Sequence, residues 1–248
     1  MRLLLLINRD FPSYYALERL LPLIQGQTVR VLQTAQVGAP RAVPRALKRL
    51  ASHEQSLLQA QLSLPGHTAW PAIQSALAQQ LGVPITTVTG VNQGFGFERM
   101  QSFQPDLVVS IRFGSILRPA AINLPRLGVL NLHSGLLPAY RGVMATFWSM
   151  LHQRSHYGYS IHDIIDEGID TGPLIEHESL PLDLDKDYLN QLLALYQSAV
   201  PRLARIIEQR EAAGVLRRLP NGAITGGYYS TPTASDCAQF SGLGLRLF

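Results

Sequence analysis

Apolar residues occur along the chain in short continuous runs that alternate with amphipathic stretches. The runs over residues 3–8 and 107–111 have the length and apolar character of strands buried on both faces of a parallel sheet. Residues 13–24 carry apolar side chains at helical spacing, and residues 28–32 return to a β-branched pattern. Residues 128–133 predict a further buried strand. This alternation predicts an α/β domain with a mostly parallel central sheet flanked by helices.

Glycine and proline mark the boundaries of the other elements in the first half of the chain. A helix is predicted to end near residue 62, before Pro65-Gly66, and a second one covers residues 70–80. A strand over residues 83–91 leads into a predicted turn at Gly94 and Gly96, and residues 116–123 form a short helix. These elements fit the same alternation of strands and helices.

The pattern changes in the second half. Residues 159–164 and 174–180 alternate polar and apolar positions, which predicts two strands that pair as neighbours. A long amphipathic helix follows over residues 188–213 and ends at a glycine. The glycine-containing segment after it is predicted to be an irregular flap, with Tyr228 and Tyr229 either anchoring it or stacking on a ligand. We therefore expect a main domain over residues 1–214 and a C-terminal tail over residues 215–248.

Composition excludes several classes of protein. Hydrophobic residues make up 46% of the chain and charged residues 15%, which is typical of a folded globular protein and not of a disordered one. A single cysteine, Cys237, excludes an intramolecular disulfide framework and favours the reducing cytoplasm. The apolar start is broken at residues 8–10, too early for a signal peptide, and no run approaches the roughly 20 apolar residues of a membrane span. The net charge of +4 comes mostly from scattered arginines and favours no particular partner.

Two segments carry candidate chemistry. Asn131 and His133 end a predicted strand two residues apart, so both side chains point to one face at the edge where open sheets bind ligands. An amide donor and an imidazole suit stabilisation of an oxyanion and proton exchange, although such a pair is also typical of a structural contact. The second segment is the loop over residues 165–173, which holds three carboxylates. On its own it is equally compatible with a solvated turn or a cation-binding loop.

Taken together, the two segments resemble the folate-dependent formyltransferase family. The resemblance is carried by Asn-Leu-His-Ser-Gly-Leu-Leu-Pro at residues 131–138, Tyr-Arg-Gly at 140–142, and Asp-Thr-Gly-Pro at 170–173. Asp170 lies 37 residues after His133. The similarity covers residues 105–180 well and the N-terminal strand-helix-strand unit only in outline.

The resemblance implies a Rossmann-like formyltransferase fold and an enzyme that uses 10-formyltetrahydrofolate as co-substrate, without a metal. It assigns the catalytic roles to Asn131, His133 and Asp170, the first two stabilising the oxyanion and the third orienting His133 and a water. It also implies a groove for the pterin that is lined by Phe113, Gly114, Ser115, Ile116, Leu117, Ile165, Asp166, Glu167, Gly168 and Ile169.

Two departures from the family pattern narrow the range of acceptors that we expect. Residues 8–14 lack the glycine-rich phosphate loop of the transformylase that acts on a phosphorylated ribonucleotide. The chain also ends before the β-barrel domain of methionyl-tRNA formyltransferase. We therefore expect the amine of a small metabolite, an amino sugar or amino-acid derivative, as acceptor, and neither nucleic acid nor membrane as a partner. A formyltetrahydrofolate hydrolase, a methionyl-tRNA formyltransferase-like enzyme and a non-enzymatic folate-binding or interaction module remain as alternatives.

Overall fold

A seven-stranded sheet forms the centre of the protein, and the computed structural model describes residues 1–35, 42–214 and 226–248. In these residues the strands are β1 (Arg2–Asn8), β2 (Thr28–Thr34), β3 (Ile85–Val88), β4 (Leu107–Ile111), β5 (Val129–His133), β6 (Tyr140–Gly142), β7 (His156–Ile164), β8 (Leu174–Pro181) and β9 (Gly227–Tyr229). The order across the sheet is β3-β2-β1-β4-β5-β7-β8, while β6 and β9 form a separate pair. β1 to β5 pair in parallel, and β7 and β8 add antiparallel to one edge. The predicted α/β class with a mostly parallel sheet is confirmed.

Helices cover both faces of this sheet. Those in the described residues are α1 (Phe11–Leu20), continued by a 3-10 helix (Leu21–Ile24), α2 (Arg45–Gln61), α3 (Trp70–Leu81), α4 (Gly94–Phe103), α5 (Pro119–Ile122), α6 (Ala145–Leu151), α7 (Tyr188–Ala213) and α8 (Ala234–Gly242). Leu3, Leu5 and Ile7 of β1 face a core shared with α1, α2 and α7, whereas Leu4 and Leu6 face a second core with α4 and α5. Burial on both sides explains why β1 is apolar at successive positions. Within the described ranges, none of the helices has both the length and the apolar character needed to cross a membrane.

The sheet reverses its direction of winding between β1 and β4. From β1 the chain passes through α1 to β2 and onward to β3, and α4 then carries it back over the opposite face to β4. At such a reversal the helices leave neighbouring strands on opposite sides, which opens a crevice at the carboxyl ends of the strands. The residues that follow β1, β4 and β5 therefore meet at one edge.

The prediction of a turn at Gly94 and Gly96 was wrong. Gly94 begins α4, which buries Met100 and Phe103 in the second core. A side chain would not fit at Gly96, because a Cβ there would lie 1.8 Å from the carbonyl oxygen of Gly90. Glycine is needed here so that the helix can pack closely against the preceding loop. Glycine also commonly marks turns, which is why the sequence alone predicted one.

The tail also differs from the predicted irregular flap. Its described part forms β9 and α8, and α8 begins with a Thr-x-x-Asp capping box. Phe240 of α8 is 1% exposed and stacks on Phe147 with ring centroids 4.4 Å apart. Residues 226–248 therefore help to complete the core of the main domain. The predicted boundary at 214/215 adjoins residues 215–225, which lie outside the described residues, and it stays a prediction.

Candidate functional site

Asn131, His133 and Asp170 converge at the carboxyl end of β5. Asn131 lies opposite His162 in the antiparallel register of β5 and β7. Asp170 belongs to the loop between β7 and β8 and has a left-handed backbone with φ of 53°, which is uncommon outside glycine. Its Oδ1 lies 3.4 Å from the Asn131 amide nitrogen and its Oδ2 lies 3.5 Å from Nδ1 of His133. The structure thus brings the three residues that were predicted to be catalytic into one cluster.

A short contact to the backbone orients the ring of His133. Nε2 lies 2.6 Å from the backbone carbonyl oxygen of Tyr140. Because that oxygen can only accept a hydrogen bond, Nε2 carries the proton. In the neutral ring Nδ1 is then the unprotonated nitrogen, facing the Asp170 carboxylate. The ring is oriented by a backbone carbonyl and not chiefly by Asp170, which leaves Nδ1 able to take up a proton beside a negative charge.

The carboxylate of Asp170 is buried and ionised. Its side chain is 10% exposed, and Oδ2 accepts the backbone N–H of Gly142 at 2.7 Å. Burial opposes the charge, but the interactions with His133 and His162 and the hydrogen bond from Gly142 outweigh it and lower the pKa of Asp170 from 3.8 to about 2. At neutral pH the cluster therefore holds a fixed negative charge beside Nδ1 of His133.

His162 is a member of the cluster that the sequence did not single out. It is 2% exposed, and its Nδ1 lies 2.9 Å from the backbone carbonyl of Asp163. That contact places the proton on Nδ1, so Nε2 accepts a hydrogen bond from the Asn131 amide at 3.0 Å. His162 thereby orients Asn131. The residue could have been found only from the pairing of β7 with β5, since the pattern predicted β7 as a neighbour of β8 alone.

The Asp-Thr-Gly-Pro loop is packed directly on β7. A Cβ at Gly172 would lie 1.7 Å from the carbonyl oxygen of Asp163, so only glycine allows this approach. The carbonyl of Pro173 accepts the N–H of Asp163 at 3.0 Å. The Asp163 carboxylate in turn accepts a hydrogen bond at 2.6 Å from Arg210 of α7, and both side chains are buried. The loop that carries Asp170 is therefore held against a strand that is anchored to a core helix.

A cavity of about 890 Å³ opens in front of the cluster. Nine of the ten residues predicted to bind the pterin line it, namely Phe113, Gly114, Ser115, Ile116, Leu117, Asp166, Glu167, Gly168 and Ile169. Ile165 does not line it and is 52% exposed. Its neighbour Ile164 does line it, because successive side chains of an extended segment point to opposite sides. Across the described residues, no group of three or more His, Cys, Asp or Glu side chains is arranged to hold a metal ion.

Another part of the cavity wall comes from β6, β9 and the residues after them. The two strands pair in parallel, and the N–H of Val143 donates to the carbonyl of Tyr229 at 2.8 Å. Tyr229 stacks on Tyr140 with ring centroids 5.2 Å apart, so it anchors the tail. Tyr228 is 53% exposed and lines the cavity. The two tyrosines thus lie in different environments, and the tail contributes directly to the cavity.

Comparison with known sequences places the cluster in a recognised family. A family model described as formyl transferase matches residues 91–199, which contain β5, β7, β8 and the loops between them. The methionyl-tRNA formyltransferase of Citrifermentans bemidjiense is 32% identical over 160 residues, covering 64% of this chain and 50% of that protein. The chain therefore spans about half the length of this curated relative.

Solved structures show the same fold at lower identity. A sugar N-formyltransferase from a Shewanella species superposes with a TM-score of 0.61 and 18% identity, covering 93% of this chain and 77% of that one. An N-formyltransferase from Helicobacter canadensis, in complex with folinic acid and dTDP-3-aminofucose, gives a TM-score of 0.58 and 18% identity, with 93% and 71% covered. The segment matched by the family model carries Asn131, His133 and Asp170. The solved structures share the fold of the chain, and residues 91–199 match the formyl transferase family.

Proposed function

We propose that this protein transfers the formyl group of 10-formyltetrahydrofolate to the amine of a small metabolite. The observation that carries the proposal is the convergence of Asn131, His133 and Asp170 at the floor of one cavity. An amide donor, an imidazole with one free nitrogen and a buried carboxylate suit acyl transfer through a tetrahedral intermediate. We expect the reaction to take place in the cytoplasm, as the single cysteine predicts.

The proposed reaction begins with attack of the acceptor nitrogen on the formyl carbon. As the new C–N bond forms, the carbonyl electron pair moves to the formyl oxygen, and the amide N–H of Asn131 stabilises the oxyanion. Nδ1 of His133 takes the proton from the acceptor nitrogen, and Asp170 stabilises the imidazolium that results. The bond between the formyl carbon and N10 then breaks. His133 returns its proton to N10, which yields tetrahydrofolate and the formamide.

The folate is proposed to lie against the wall formed by residues 113–117 and 166–169. Two backbone groups of this wall are held in place: the N–H of Gly114 donates to Oγ1 of Thr34 at 2.9 Å, and the N–H of Gly168 donates to Oδ1 of Asp166 at 2.8 Å. The folinic acid in the Helicobacter canadensis structure supports a reduced folate as the ligand of this fold. The formyl group would then point towards β5.

The acceptor is proposed to enter from the wall formed by β6 and β9. Tyr228 and Met144 line this side and offer an aromatic face and a thioether, while Ser230 adds a hydroxyl. Such a surface suits the ring of an amino sugar or another small amine. The dTDP-aminosugar bound to the Helicobacter canadensis enzyme supports the first of these classes.

An aminoacyl-tRNA is the second candidate acceptor. The curated relatives at about 30% identity are methionyl-tRNA formyltransferases, and this observation favours tRNA over other macromolecules. The two candidates differ in the surface they require: a small amine uses the cavity alone, whereas tRNA needs a basic surface outside it. Formyl transfer to initiator methionyl-tRNA must therefore be measured alongside the small amines.

The test is an assay of 10-formyltetrahydrofolate turnover with amino sugars, with methionyl-tRNA and without acceptor. We expect turnover that requires an amine and forms one formamide per folate consumed. His133→Ala and Asn131→Ala are expected to lower turnover about 10²- to 10³-fold while folate affinity stays within about tenfold. His156→Ala, at an exposed histidine of the same sheet, is the matched control and should retain full turnover.

Other results of this assay would each indicate a different function for the protein. Release of formate without an acceptor identifies a hydrolase, and folate binding without turnover identifies a binding module. Near-normal turnover in the His133 or Asn131 variant would remove that residue from the mechanism.

A further inference from the structure

A buried ion pair spans the crevice between β1 and β4. Asp10 follows the end of β1, and Arg112 is the residue directly after β4. Nε of Arg112 lies 3.0 Å from Oδ2 and 3.2 Å from Oδ1 of Asp10, which is 8% exposed. In open α/β sheets this crevice is the usual place for a ligand. Here the protein places two of its own charges across it.

The same carboxylate caps α1. Oδ1 of Asp10 accepts the backbone N–H of Ser13 at 2.9 Å, and Oδ2 accepts from the Asn8 amide at 2.8 Å. The unpaired N–H groups at the start of a helix carry partial positive charge and commonly bind phosphate. Together with the guanidinium of Arg112 they form an anion site, and a side chain of the protein is bound in it.

One donor in this site, the hydroxyl of Ser13, makes no hydrogen bond of regular geometry with the described residues. Ser13 is fully buried, and its hydroxyl lies beside the Asp10 carboxylate without a hydrogen bond of regular geometry to it or to any other group in the described part of the chain. A carboxylate presents its oxygens in one plane, whereas phosphate presents them at the corners of a tetrahedron. A tetrahedral anion could therefore engage the Ser13 hydroxyl in addition to the donors that Asp10 engages.

The charges of the site balance without a ligand. Burial opposes the charge of Asp10, but Arg112 and the hydrogen bonds from Asn8 and Ser13 keep its pKa below the ordinary value. Glu54 lies close enough to interact with Arg112, yet burial, aided by the Asp10 charge, raises its pKa to about 8 and keeps it neutral at pH 7. In the described residues Asp10 is thus the ionised partner of Arg112.

The ion pair is connected to the wall of the cavity. Arg112 and Thr34 both line the cavity. Oγ1 of Thr34 donates to Oδ1 of Asn8 at 3.2 Å and accepts the N–H of Gly114 at 2.9 Å. The contacts of Asp10 therefore reach the backbone that is proposed to hold the folate, and an acceptor in the cavity lies within reach of Arg112.

We propose that Asp10 is an internal anion that occupies a phosphate-binding site formed by α1 and Arg112, and that this occupation rejects acceptors with a phosphate at that end of the cavity. The occupation of the site follows from the contacts around Asp10 alone. Its consequence for acceptor choice rests on the proposed function. An ordinary helix cap would explain the Ser13 contact but not the buried guanidinium placed opposite it.

The experiment removes the internal anion and offers inorganic phosphate in its place. Asp10→Gly deletes the carboxylate and leaves the N–H groups, the Ser13 hydroxyl and Arg112 in position. The double variant Asp10→Gly/Glu54→Gln prevents Glu54 from ionising and replacing Asp10 as the partner of Arg112. Phosphate is titrated into the full chain at constant ionic strength, by calorimetry and by thermal unfolding.

Asp187→Gly is the matched control. Asp187 caps α7 in the same way, accepting the backbone N–H of Asn190 at 2.8 Å, but its carboxylate forms no ion pair with a guanidinium of the described residues. The wild type and this control report any general stabilising effect of phosphate on folded proteins.

We expect the double variant to bind phosphate saturably and at least about tenfold more tightly than the wild type or the control. It should also prefer glucosamine 6-phosphate to glucosamine, whereas the wild type should not. Equal phosphate affinity in wild type and variant, absence of saturable binding in the double variant, or failure of both Asp10 variants to fold in phosphate would each overturn the proposal. The phosphate titration needs neither folate nor acceptor, so its failure is separate from any failure of the proposed function.

Discussion

Asp170→Asn separates the charge of this residue from its hydrogen bonds. The amide oxygen of asparagine can still accept the N–H of Gly142, which is the shortest hydrogen bond of this side chain. Its nitrogen takes the place of Oδ1 and gives up only the long 3.4 Å contact from the Asn131 amide. The variant is therefore expected to keep the fold and the position of the loop. It loses the negative charge 3.5 Å from Nδ1 of His133.

The size of the effect follows from the pKa of Asp170. A pKa lowered from 3.8 to about 2 corresponds to about 2 to 3 kcal/mol of net stabilisation of the charged form. If the imidazolium of His133 in the transition state loses a comparable amount of electrostatic stabilisation, the rate falls by about 30- to 150-fold. The loss is expected in kcat, with the affinity for 10-formyltetrahydrofolate changed less than about threefold.

The same charge makes a pH-dependent contribution to stability. Because the folded-state pKa of Asp170 is depressed, its contribution is fully present above the unfolded value of 3.8 and is lost as the pH falls through about 2. Urea unfolding should show the wild type about 2 to 3 kcal/mol more stable than Asp170→Asn at pH 7, with about half of that difference gone at pH 3. A variant with less than a fivefold loss of kcat and equal stability at pH 7 would refute the reasoning.

Three further changes test the packing around the site. Burial, aided by Asp10, raises the pKa of Glu54 from 4.5 to about 8, so this carboxyl destabilises the fold increasingly as the pH rises between those values. Glu54→Gln is expected to raise the free energy of unfolding relative to wild type by up to about 5 kcal/mol at pH 9 and by little at pH 4. An equal effect at the two pH values would contradict the assignment. Phe240→Ala removes a ring stacked on Phe147 and should cost about 3 to 5 kcal/mol in urea unfolding, while a loss below 1 kcal/mol would show that α8 is not part of the core. Asp163→Asn leaves the buried guanidinium of Arg210 without the carboxylate that lies 2.6 Å away, and it should lower the free energy of unfolding by about 3 to 5 kcal/mol. The double variant Asp163→Asn/Arg210→Met should recover part of that loss, and additive effects of the two substitutions would argue against the pairing.

Sequence patterns were most informative for elements whose formation depends on residues close together in the chain. A strand buried on both faces is apolar at most successive positions, so the apolar residues of the runs ending at Asn8 and at His133 identify β1 and β5 without knowledge of their neighbours. The two-residue spacing of Asn131 and His133 places them on one face for the same reason. Asp170 was found through the family resemblance, because nothing local distinguishes it from the other carboxylates of its loop.

The tertiary structure decided what depends on residues far apart in sequence. His162 orients Asn131 only because β7 pairs with β5 in one particular register, and a shift by one residue would turn its side chain away. The tail completes the core because Phe240 reaches Phe147 across the chain. Asp10 meets Arg112 because the sheet reverses its winding between β1 and β4, which brings the ends of two strands about a hundred residues apart to one edge. Such contacts have no local pattern, since they are selected by the packing of the whole sheet.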